Sequence, residues 1–372
     1  MKILGIGYGR HLFDITTFEH KRLHKCAGEV ESFDQIIFTL KSEGFSNLNT
    51  ENNFRLHPTN SANRFLMLFD AIKIGNQIIK KENCTVITTQ DLFETGFVGF
   101  ILKQLNKKAT LQVQEHGDVL SSKHWRIEKF SNRLRYHFGI FILRQADIIR
   151  VVSERTRSFI KSKVSANKKI HKFPVVIDSS KFLVTKESSP SERDKYFTFI
   201  TAARFVPQKN FSLMINAFSE AYKKNNSLRL KIFGEGYLQS DIENLITKLG
   251  LQEAVELHGW TEDLGSEMQT ADAYLLTSNY EGWARVLIEA MVLRLPIVTT
   301  DVGCVGEVVK SGIHGLVVPI DNKQSLTTAI ERISSDKRLY AEIKDNLSKV
   351  TIDSIPGTNI DTYARDWALT MQ

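Results

Sequence analysis

The sequence predicts an α/β fold with two domains, each built on a mostly parallel sheet. Apolar runs of strand length alternate with apolar stripes at helical spacing, as expected of parallel sheets covered by helices on both faces. The alternation restarts after a polar stretch near the middle of the 372-residue chain, which is longer than one hydrophobic core usually supports. We therefore place domains at 1–177 and 178–357, followed by a final segment at 358–372.

In the first half, strands are predicted over residues 2–7, 35–40, 85–88, 109–114 and 147–152. A helix is predicted over 62–80, and Asp91 opens the next one. In the second half, strands are predicted over 196–202, 228–233, 255–257, 273–276 and 296–300, with helices over 211–222, 238–249 and 264–270. Residues 186–193 are polar and lack apolar periodicity, which indicates a linker or surface loop.

Composition indicates a globular protein in a reducing environment. Apolar residues make up 42% and charged residues 24%, and no run of about 18 apolar residues could span a membrane. The N-terminus enters a short strand without the long apolar core of a signal peptide. Cys26, Cys84 and Cys304 are scattered and lack metal-ligand spacing. We expect a cytoplasmic location.

Charge is divided unevenly between the two halves. Residues 1–177 carry 28 lysines and arginines against 16 acidic residues, a net of +12, within a chain whose net charge is +7. The segment 121–145 interleaves cations such as Arg126 and Arg133 with apolar residues such as Trp125 and Phe130. A helix of this kind suits an anionic membrane surface. Packing of its apolar residues into the domain, with solvated cations, remains the alternative.

Two cations follow the first strand of the second half. Arg204 lies at the end of that strand and Lys209 at the start of the next helix. Beside free helix N–H groups, two such cations suit a diphosphate and the charge that develops on it as a leaving group. The alternative is a solvent-exposed pair. Ligands of open α/β sheets bind at the carboxyl ends of strands, which favours the functional interpretation.

A strand–loop–helix–strand unit around Glu281 and Glu289 indicates a sugar-nucleotide site. Glu281 and Gly282 lie in the loop before the helix, where a parallel sheet presents N–H groups to an anion. One carboxylate on the loop and one on the helix can reach hydroxyls on either side of a bound phosphate. Glycine-bearing loops at 234–236 and 301–307 also follow strands of this half.

Together these residues resemble the retaining glycosyltransferases of family GT4. The resemblance rests on Arg204 with Lys209, the turn at 234–236, Glu281 followed by Glu289, and the stretches 299–309 and 314–319. It implies a GT-B fold, with two facing Rossmann-like domains, a cleft between them and a last helix that crosses back to the first. It also implies that the donor binds the C-terminal domain and the acceptor the N-terminal domain. Retention of anomeric configuration and no metal requirement are implied as well.

Carried over residue by residue, the resemblance implies a catalytic set and a donor-binding set. Arg204 and Lys209 would hold the donor diphosphate, Glu281 would accept hydrogen bonds from sugar hydroxyls, and His116 after a strand of the first half would face the donor sugar. The donor-binding set comprises Gly7, Gly234, Arg285, Val286, Leu287 and Glu289, with Glu289 on the ribose and the amides of residues 285–287 on the phosphate. The sequence departs from the family pattern at Trp283-Ala284 and Gly303-Cys304.

The expected function is transfer of a hexose from a UDP- or GDP-sugar to a hydroxyl of a glycan or lipid-linked acceptor, in cell-surface polysaccharide or glycolipid assembly. No cofactor, metal or nucleic-acid partner is expected, and the protein would be cytoplasmic or peripheral on the inner membrane face. A sugar-nucleotide epimerase of the same fold and an inactive nucleotide-sugar-binding protein remain alternatives. A dehydrogenase is disfavoured, because Gly5, Gly7 and Gly9 do not match G-x-G-x-x-G.

Overall fold

The chain forms two compact units in the computed structural model, which describes residues 1–51, 53–178, 182 and 195–372. The first unit comprises Met1–Ser121, Lys129–Val176 and Asn359–Gln372, and the second comprises Ser122–Glu128 and Ile177–Thr358. The predicted linker at 186–193 lies outside the described residues. The short segment Ser122–Glu128 was assigned to the first domain from the sequence, whereas the structure places it in the second unit.

The first unit is built on a sheet that is parallel except at one edge. Its strand order is β3-β4-β2-β1-β5-β6-β7-β8, and only β3, which pairs with β4, is antiparallel among the described strands. The strands are β1 (Lys2–Gly7), β2 (Ser32–Ile37), β3 (Leu48–Asn49), β4 (Phe54–Pro58), β5 (Val86–Thr89), β6 (Thr110–Glu115), β7 (Ile148–Val151) and β8 (Lys169–Lys172). Its helices are α1 (Phe18–Gly28), α2 (Leu66–Glu82), α3 (Glu94–Leu105), α5 (Phe130–Gln145), α6 (Glu154–Lys161) and α13 (Ile360–Leu369).

The last helix, α13, completes the core of the first unit. Trp367 is 3% exposed, and its ring centre lies 5.2 Å from that of Phe33 on β2. The ring of Tyr363 is tilted against that of Phe173, with ring centres 4.5 Å apart, and Ala364 lies in the same core cluster. Helix α13 also packs against α1. The spacing of Tyr363, Ala364 and Trp367 puts all three on one helical face. Residues at the two ends of the sequence therefore share one core.

The second unit has a fully parallel sheet in its described part. Its order β11-β10-β9-β12-β13-β14 is that of a doubly wound dinucleotide-binding fold. The strands are β9 (Phe197–Ala202), β10 (Leu228–Phe233), β11 (Val255–His258), β12 (Ala273–Leu276), β13 (Ile297–Thr300) and β14 (Gly315–Val318). The helices are α4 (Lys123–Glu128), α7 (Phe211–Lys224), α8 (Gln239–Lys248), α9 (Leu264–Gln269), α10 (Arg285–Val292), α11 (Lys323–Ser335) and α12 (Lys337–Ser348).

The basic segment at 121–145 is not the single helix that its composition suggested. Lys129 has extended backbone angles (φ −144°, ψ 143°) and separates α4 from α5, which lie in different units. Trp125 of α4 is buried, and Glu128 accepts a 3.1 Å hydrogen bond from the Tyr280 hydroxyl. These contacts fix α4 within the second unit. No helix in the described ranges is both long and apolar enough to cross a bilayer.

Candidate functional site

The second unit brings two polar loops together where its strand order reverses. One loop follows β9 and the other follows β12, the neighbouring strand on which the chain returns to the sheet centre. The Asn279 amide donates to the Gln208 carbonyl at 2.8 Å, and Gln208 Nε2 donates to the Tyr280 carbonyl at 2.9 Å. Thr277 Oγ1 donates to the Lys209 carbonyl at 2.9 Å. The two loops therefore form one hydrogen-bonded platform at the usual ligand position of such sheets.

Lys209 and Glu281 meet on this platform as an ion pair. Lys209 Nζ donates to Glu281 Oε1, and both side chains are largely buried. Ser278 Oγ donates to the same carboxylate oxygen at 2.7 Å, and Thr300 Oγ1 holds the Ser278 carbonyl at 2.7 Å. Among the described residues, both hydrogen bonds of Glu281 use Oε1. Oε2 has no hydrogen-bond donor in the part of the chain that the structure describes.

Arg204 differs from Lys209 in being exposed, and it forms no ion pair with any residue in the described ranges. Its position is set by the backbone on either side. Gly234 has φ +141°, and a Cβ there would lie 2.0 Å from the Ala203 carbonyl oxygen. The Phe205 amide donates to the Glu235 carbonyl at 2.8 Å, and the Phe205 ring is fully buried. Gly234 therefore makes room for the loop that carries Arg204.

The first turn of α10 has two backbone amides without an acceptor in the described part of the chain, whereas the sequence analysis expected three amides at residues 285–287. The Leu287 amide already donates to the Ala284 carbonyl at 2.9 Å. The amides of Arg285 and Val286 have no acceptor among the described residues, as expected for the first turn of a helix. The Arg285 side chain is exposed, and Glu289 lies one turn further along, half-buried. The predicted amide cluster is thus narrowed to residues 285 and 286.

A third loop, which follows β13, packs against the platform at Trp283. The Cys304 amide donates to the Trp283 carbonyl at 3.2 Å. Gly303 has φ +59°, and a Cβ there would lie 2.9 Å from the Trp283 carbonyl carbon, so a side chain would push the two loops apart. The sequence departs from the Gly-Gly pattern at Gly303-Cys304 but retains Gly303, the glycine that this packing requires. Cys304, which replaces the second glycine, is fully buried.

In the first unit, His116 lies just beyond β6 and Gly7 ends β1. His116 Nε2 lies 2.7 Å from Gln114 Oε1, which also accepts from Arg150 Nη1 at 3.2 Å. Burial, reinforced by the nearby Arg150 and Arg22 guanidinium groups, lowers the pKa of His116 to about 3, so the imidazole is neutral at neutral pH. Gly7 leaves space for a neighbouring side chain, since a Cβ would lie 2.4 Å from Gln90 Oε1.

The structure also shows acidic residues at strand ends that the sequence interpretation did not select. Asp91 follows β5, Glu115 ends β6 and Asp118 lies shortly beyond it. Burial raises the pKa of all three carboxyl groups, that of Glu115 to about 7. Tyr8, after β1, donates to Glu94 Oε2 at 3.2 Å. Asp91, Glu115 and Asp118 all lie at or just after the ends of strands in one sheet, and this shared position could have been recognised from the sequence. No group of three or more His, Cys, Asp or Glu side chains in the described ranges could hold a metal ion.

The sequence of this chain is similar to those of several known proteins. Residues 185–350 match the family model described as glycosyl transferases group 1. An uncharacterised glycosyltransferase of Methanocaldococcus jannaschii is 30% identical over 75% of this chain and 74% of its own length. The UDP-Gal:alpha-D-GlcNAc-diphosphoundecaprenol alpha-1,3-galactosyltransferase of Escherichia coli is 26% identical over 74% of this chain and 72% of its own.

The fold has close counterparts among solved structures. The structure of Anabaena HepE in complex with UDP and glucose superposes with a TM-score of 0.72, covering 100% of this chain and 99% of that one at 19% identity. At that identity the match concerns the fold alone, which is GT-B, with two Rossmann-like domains on parallel sheets. The sequence match to the archaeal relative extends over most of both chains. The chain belongs to the group 1 glycosyltransferases.

Proposed function

We propose that this glycosyltransferase moves a hexose from a nucleotide-diphosphate sugar to a hydroxyl of a glycan or lipid-linked acceptor, with retention of the anomeric configuration. The observation that carries the proposal is the Lys209–Glu281 pair on the platform beside Arg204. Because Lys209 and Glu281 are hydrogen-bonded to each other, the cation can bind the diphosphate of a donor while the carboxylate binds the sugar of the same donor. An epimerase or a nucleotide-sugar-binding protein has no acceptor substrate. Neither would therefore need Arg204, Lys209 and Glu281 for transfer of a sugar to an acceptor.

In the proposed reaction, Arg204 and Lys209 bind the diphosphate, and the amides of Arg285 and Val286 donate to its oxygens. Negative charge grows on the diphosphate as the bond to the anomeric carbon breaks, so these donors stabilise the transition state more than the ground state. The acceptor oxygen attacks from the face that the diphosphate leaves, within a short-lived ion pair. The acceptor proton passes to the departing diphosphate oxygen.

Glu281 and Glu289 are proposed to orient the donor. Glu281 Oε2 accepts from a hydroxyl of the sugar, while Oε1 stays bound to Lys209 and Ser278. Glu289 accepts from the ribose. Gly234 and Gly7 are proposed to keep the backbone open for the donor, and Leu287 supports the first turn of α10. His116, neutral at working pH, is the proposed catalytic residue of the first unit, where its ring donates or accepts without added charge.

We propose a UDP- or GDP-sugar as donor, and transfer without a bound metal ion. UDP is favoured because the E. coli relative is named for UDP-Gal and HepE was solved with UDP. Two cations near a leaving diphosphate can supply the positive charge that a divalent ion supplies elsewhere. The role of the E. coli relative on a diphosphoundecaprenol substrate supports a lipid-linked acceptor.

We further propose that α5 touches an anionic membrane. Phe130 is 75% exposed and Leu134 is 65% exposed, one turn apart, and Arg133 is exposed between them. Exposed apolar residues next to cations suit a helix lying at the bilayer surface. Arg135 is excluded from this role, because it pairs with Glu94 at 2.8 Å. A cytoplasmic setting is supported by the three unpaired, buried cysteines.

The donor proposal is tested first by thermal unfolding with UDP, GDP, ADP and their hexose conjugates, each with and without EDTA. A ligand at 100 times its Kd stabilises by about 2.7 kcal/mol. We expect a shift with one nucleotide family that EDTA does not change. Turnover with the stabilising donor then separates transfer from binding alone, and the anomeric coupling in the product reports retention. A shift that EDTA abolishes would overturn metal independence.

The membrane proposal needs its own test, namely co-sedimentation with vesicles containing phosphatidylglycerol and with purely zwitterionic vesicles. We expect binding to the anionic vesicles at low salt, and loss of binding in Phe130→Ser/Leu134→Ser. The control Leu105→Ser changes an exposed leucine at the end of α3 in the same unit. Equal binding by both variants would show that α5 is not the contact.

A further inference from the structure

A cavity of about 760 Å³ lies in the first unit, between the C-terminal half of α2 and the strands β3 and β4. This volume falls within the range of small-molecule sites. None of the residues proposed to carry out sugar transfer lines it. The cavity therefore needs an explanation separate from the transfer reaction.

The helical wall of the cavity is one face of α2. It consists of residues three or four apart, namely Ile74, Gln77, Ile78, Lys81 and Glu82. A helix that only covers a sheet would present apolar residues here. This face presents the apolar Ile74 and Ile78 together with an exposed amide and two charged groups. The mixed character of the wall is suited to a polar ligand that also has apolar surface.

The sheet wall contains a charged hydrogen-bond network around one buried carboxylate, that of Asp34. Asp34 on β2 is in register with Arg55 on β4, and His57 lies two residues further on the same face. Arg55 donates to both Asp34 oxygens, at 2.7 and 2.6 Å, and His57 Nε2 lies 2.8 Å from Oδ1. Burial opposes ionisation of Asp34, which is 1% exposed, but the bonds from His57 and Arg55 outweigh it and lower the pKa of the carboxyl.

This network leaves donors and acceptors available to the cavity. Because Asp34 is ionised and accepts, His57 must donate through Nε2, and its Nδ1 is an acceptor when the ring is neutral. Arg55 also pairs with Glu82 through Nη2 at 3.2 Å, while its Nη1 has no partner in the described part of the chain. Asn47 and Asn49 also line the cavity. Removing the Asp34 carboxylate from water is costly, and the hydrogen bonds from Arg55 and His57 offset this cost.

We propose that this cavity binds a neutral saccharide at a site distinct from the transfer site. Each sugar hydroxyl both donates and accepts, which matches a wall that offers fixed donors and acceptors side by side. The charges of Asp34 and Glu82 balance those of Arg55 and Lys81, so the cavity does not attract an anion such as phosphate. Ile74 and Ile78 can cover the apolar C–H face of a sugar ring.

The test uses the full chain with ¹³C-labelled isoleucine δ1 methyl groups. Maltotriose, lactose and N,N′-diacetylchitobiose are titrated separately into the millimolar range, where a weak site saturates. We expect at least one of them to shift the Ile74 and Ile78 methyl signals saturably, while Ile232 on β10 of the second unit does not move. If none of these saccharides shifts Ile74 and Ile78, the proposal is overturned.

Two variants at one position sharpen the test. Gln77→Trp should obstruct the part of the cavity beside Ile74 and Ile78 and reduce the saccharide shifts, and Gln77→Leu should weaken binding about two- to tenfold through the lost hydrogen bond. Lys73→Trp is the matched control, since Lys73 is exposed on the same helix but does not line the cavity. Inorganic phosphate that moves the same methyl signals in place of the saccharides would instead indicate an anion site. These readouts do not depend on turnover, so this proposal and the proposed function can fail separately.

Discussion

Lys209 donates a hydrogen bond from Nζ to Oε1 of Glu281, joining two loops 72 positions apart in sequence. This pairing changes how charge is distributed at the candidate site. The cation of Lys209 is balanced by the carboxylate, whereas Arg204 stands exposed without an ion-pair partner in the described ranges. A bound diphosphate would therefore meet one uncompensated cation and one that it must share with Glu281.

Removal of Arg204 and removal of Lys209 should therefore have different effects on the stability of the protein. Arg204→Ala should lower kcat/KM at least about tenfold with an unchanged Tm, because Arg204 is exposed and supports only the ligand. Lys209→Ala should lower kcat/KM at least about tenfold and also lower the Tm, because Glu281 keeps a buried, unpaired charge. Steady-state kinetics with a verified donor and thermal unfolding measure both effects. Lys248→Ala, an exposed lysine of α8, is the control, and unchanged turnover in Lys209→Ala would refute its role.

Glu281→Gln should retain the shape of the site but lose its charge. The hydrogen bonds from Lys209 and Ser278 would then reach a neutral oxygen, and the sugar hydroxyl would lose a charged acceptor. A hydrogen bond to a charged group contributes about 1.5–3 kcal/mol, so kcat should fall roughly tenfold to 150-fold. Glu253→Gln, at an exposed glutamate of the same unit, should have no effect. A wild-type kcat in Glu281→Gln would argue against its contact with the sugar.

Gly234→Ala should act on donor binding through the backbone. The new Cβ would lie 2.0 Å from the Ala203 carbonyl oxygen and must displace the loop that carries Arg204. Gly250→Ala is a useful comparison, because Gly250 also has a positive φ (+66°) but a Cβ there meets nothing within 4 Å. The left-handed conformation alone costs about 1–2 kcal/mol. We expect a larger loss of Tm and a weaker UDP-induced shift in Gly234→Ala, and equal effects would show that crowding is unimportant.

The stability of the first unit should depend on pH through Glu115. Burial raises its pKa from 4.5 to about 7, so the folded carboxyl holds its proton more tightly than the unfolded one. The stability contributed by this group is complete below about pH 4.5 and is lost as the pH rises through about 7. The change is about 3 kcal/mol for a shift of this size.

Glu115→Gln isolates this effect. Glutamine preserves the 3.0 Å hydrogen bond from the Val119 amide but cannot ionise. The urea midpoint of the variant should therefore rise relative to that of the wild type as the pH increases from 4.5 to 7.5. His116 acts in the opposite direction, since its lowered pKa makes the fold more stable as pH rises from about 3 to 6.5, and it is common to both proteins. Glu29→Gln, on the surface of the same unit, is the control. A midpoint difference that does not vary with pH would contradict the assignment.

Trp367→Ala should destabilise the first unit severely. Trp367 is 3% exposed and packs on Phe33, so truncation leaves a cavity in the core, at a cost of about 3–5 kcal/mol. Trp260→Ala removes the same side chain from a position that is 74% exposed and should change the Tm little. Thermal unfolding of the two variants gives the comparison. Similar Tm values would mean that α13 contributes little to the core.

The fold was largely predictable because its signals are local. Buried parallel strands appear as continuous apolar runs, and β1, β10 and β12 have the bounds that the sequence predicts. Strand β2 runs from Ser32 to Ile37, three residues before the predicted start, because Asp34 is buried by partners on β4 that no local pattern reveals. The sequence analysis also missed β4, β8, β14 and the short antiparallel β3. Its place depends on Leu56 and Arg55 across the sheet edge.

The structure brings together Lys209 and Glu281, which the sequence analysis selected, but their hydrogen-bond partners could not be predicted from the sequence. Position after a strand singled out Arg204, Lys209 and Glu281. The pairing of Lys209 with Glu281, the support from Ser278 and the occupied Leu287 amide depend on loop geometry, which residue spacing does not encode. The break at Lys129 likewise follows from the packing of Trp125 in the second unit rather than from the composition of the segment.

The position of α13 also has a consequence for how this protein is made. The first unit receives its final helix from the last 14 residues, Asn359–Gln372, although the rest of its chain ends at Val176. The 196 residues after Val176 take roughly 10–40 s to synthesise at common elongation rates. For that interval the face around Phe33 and Phe173 that α13 will cover stays open. A ribosome-bound chain therefore carries an incomplete first unit until residues 359–372 have been synthesised and have packed onto it.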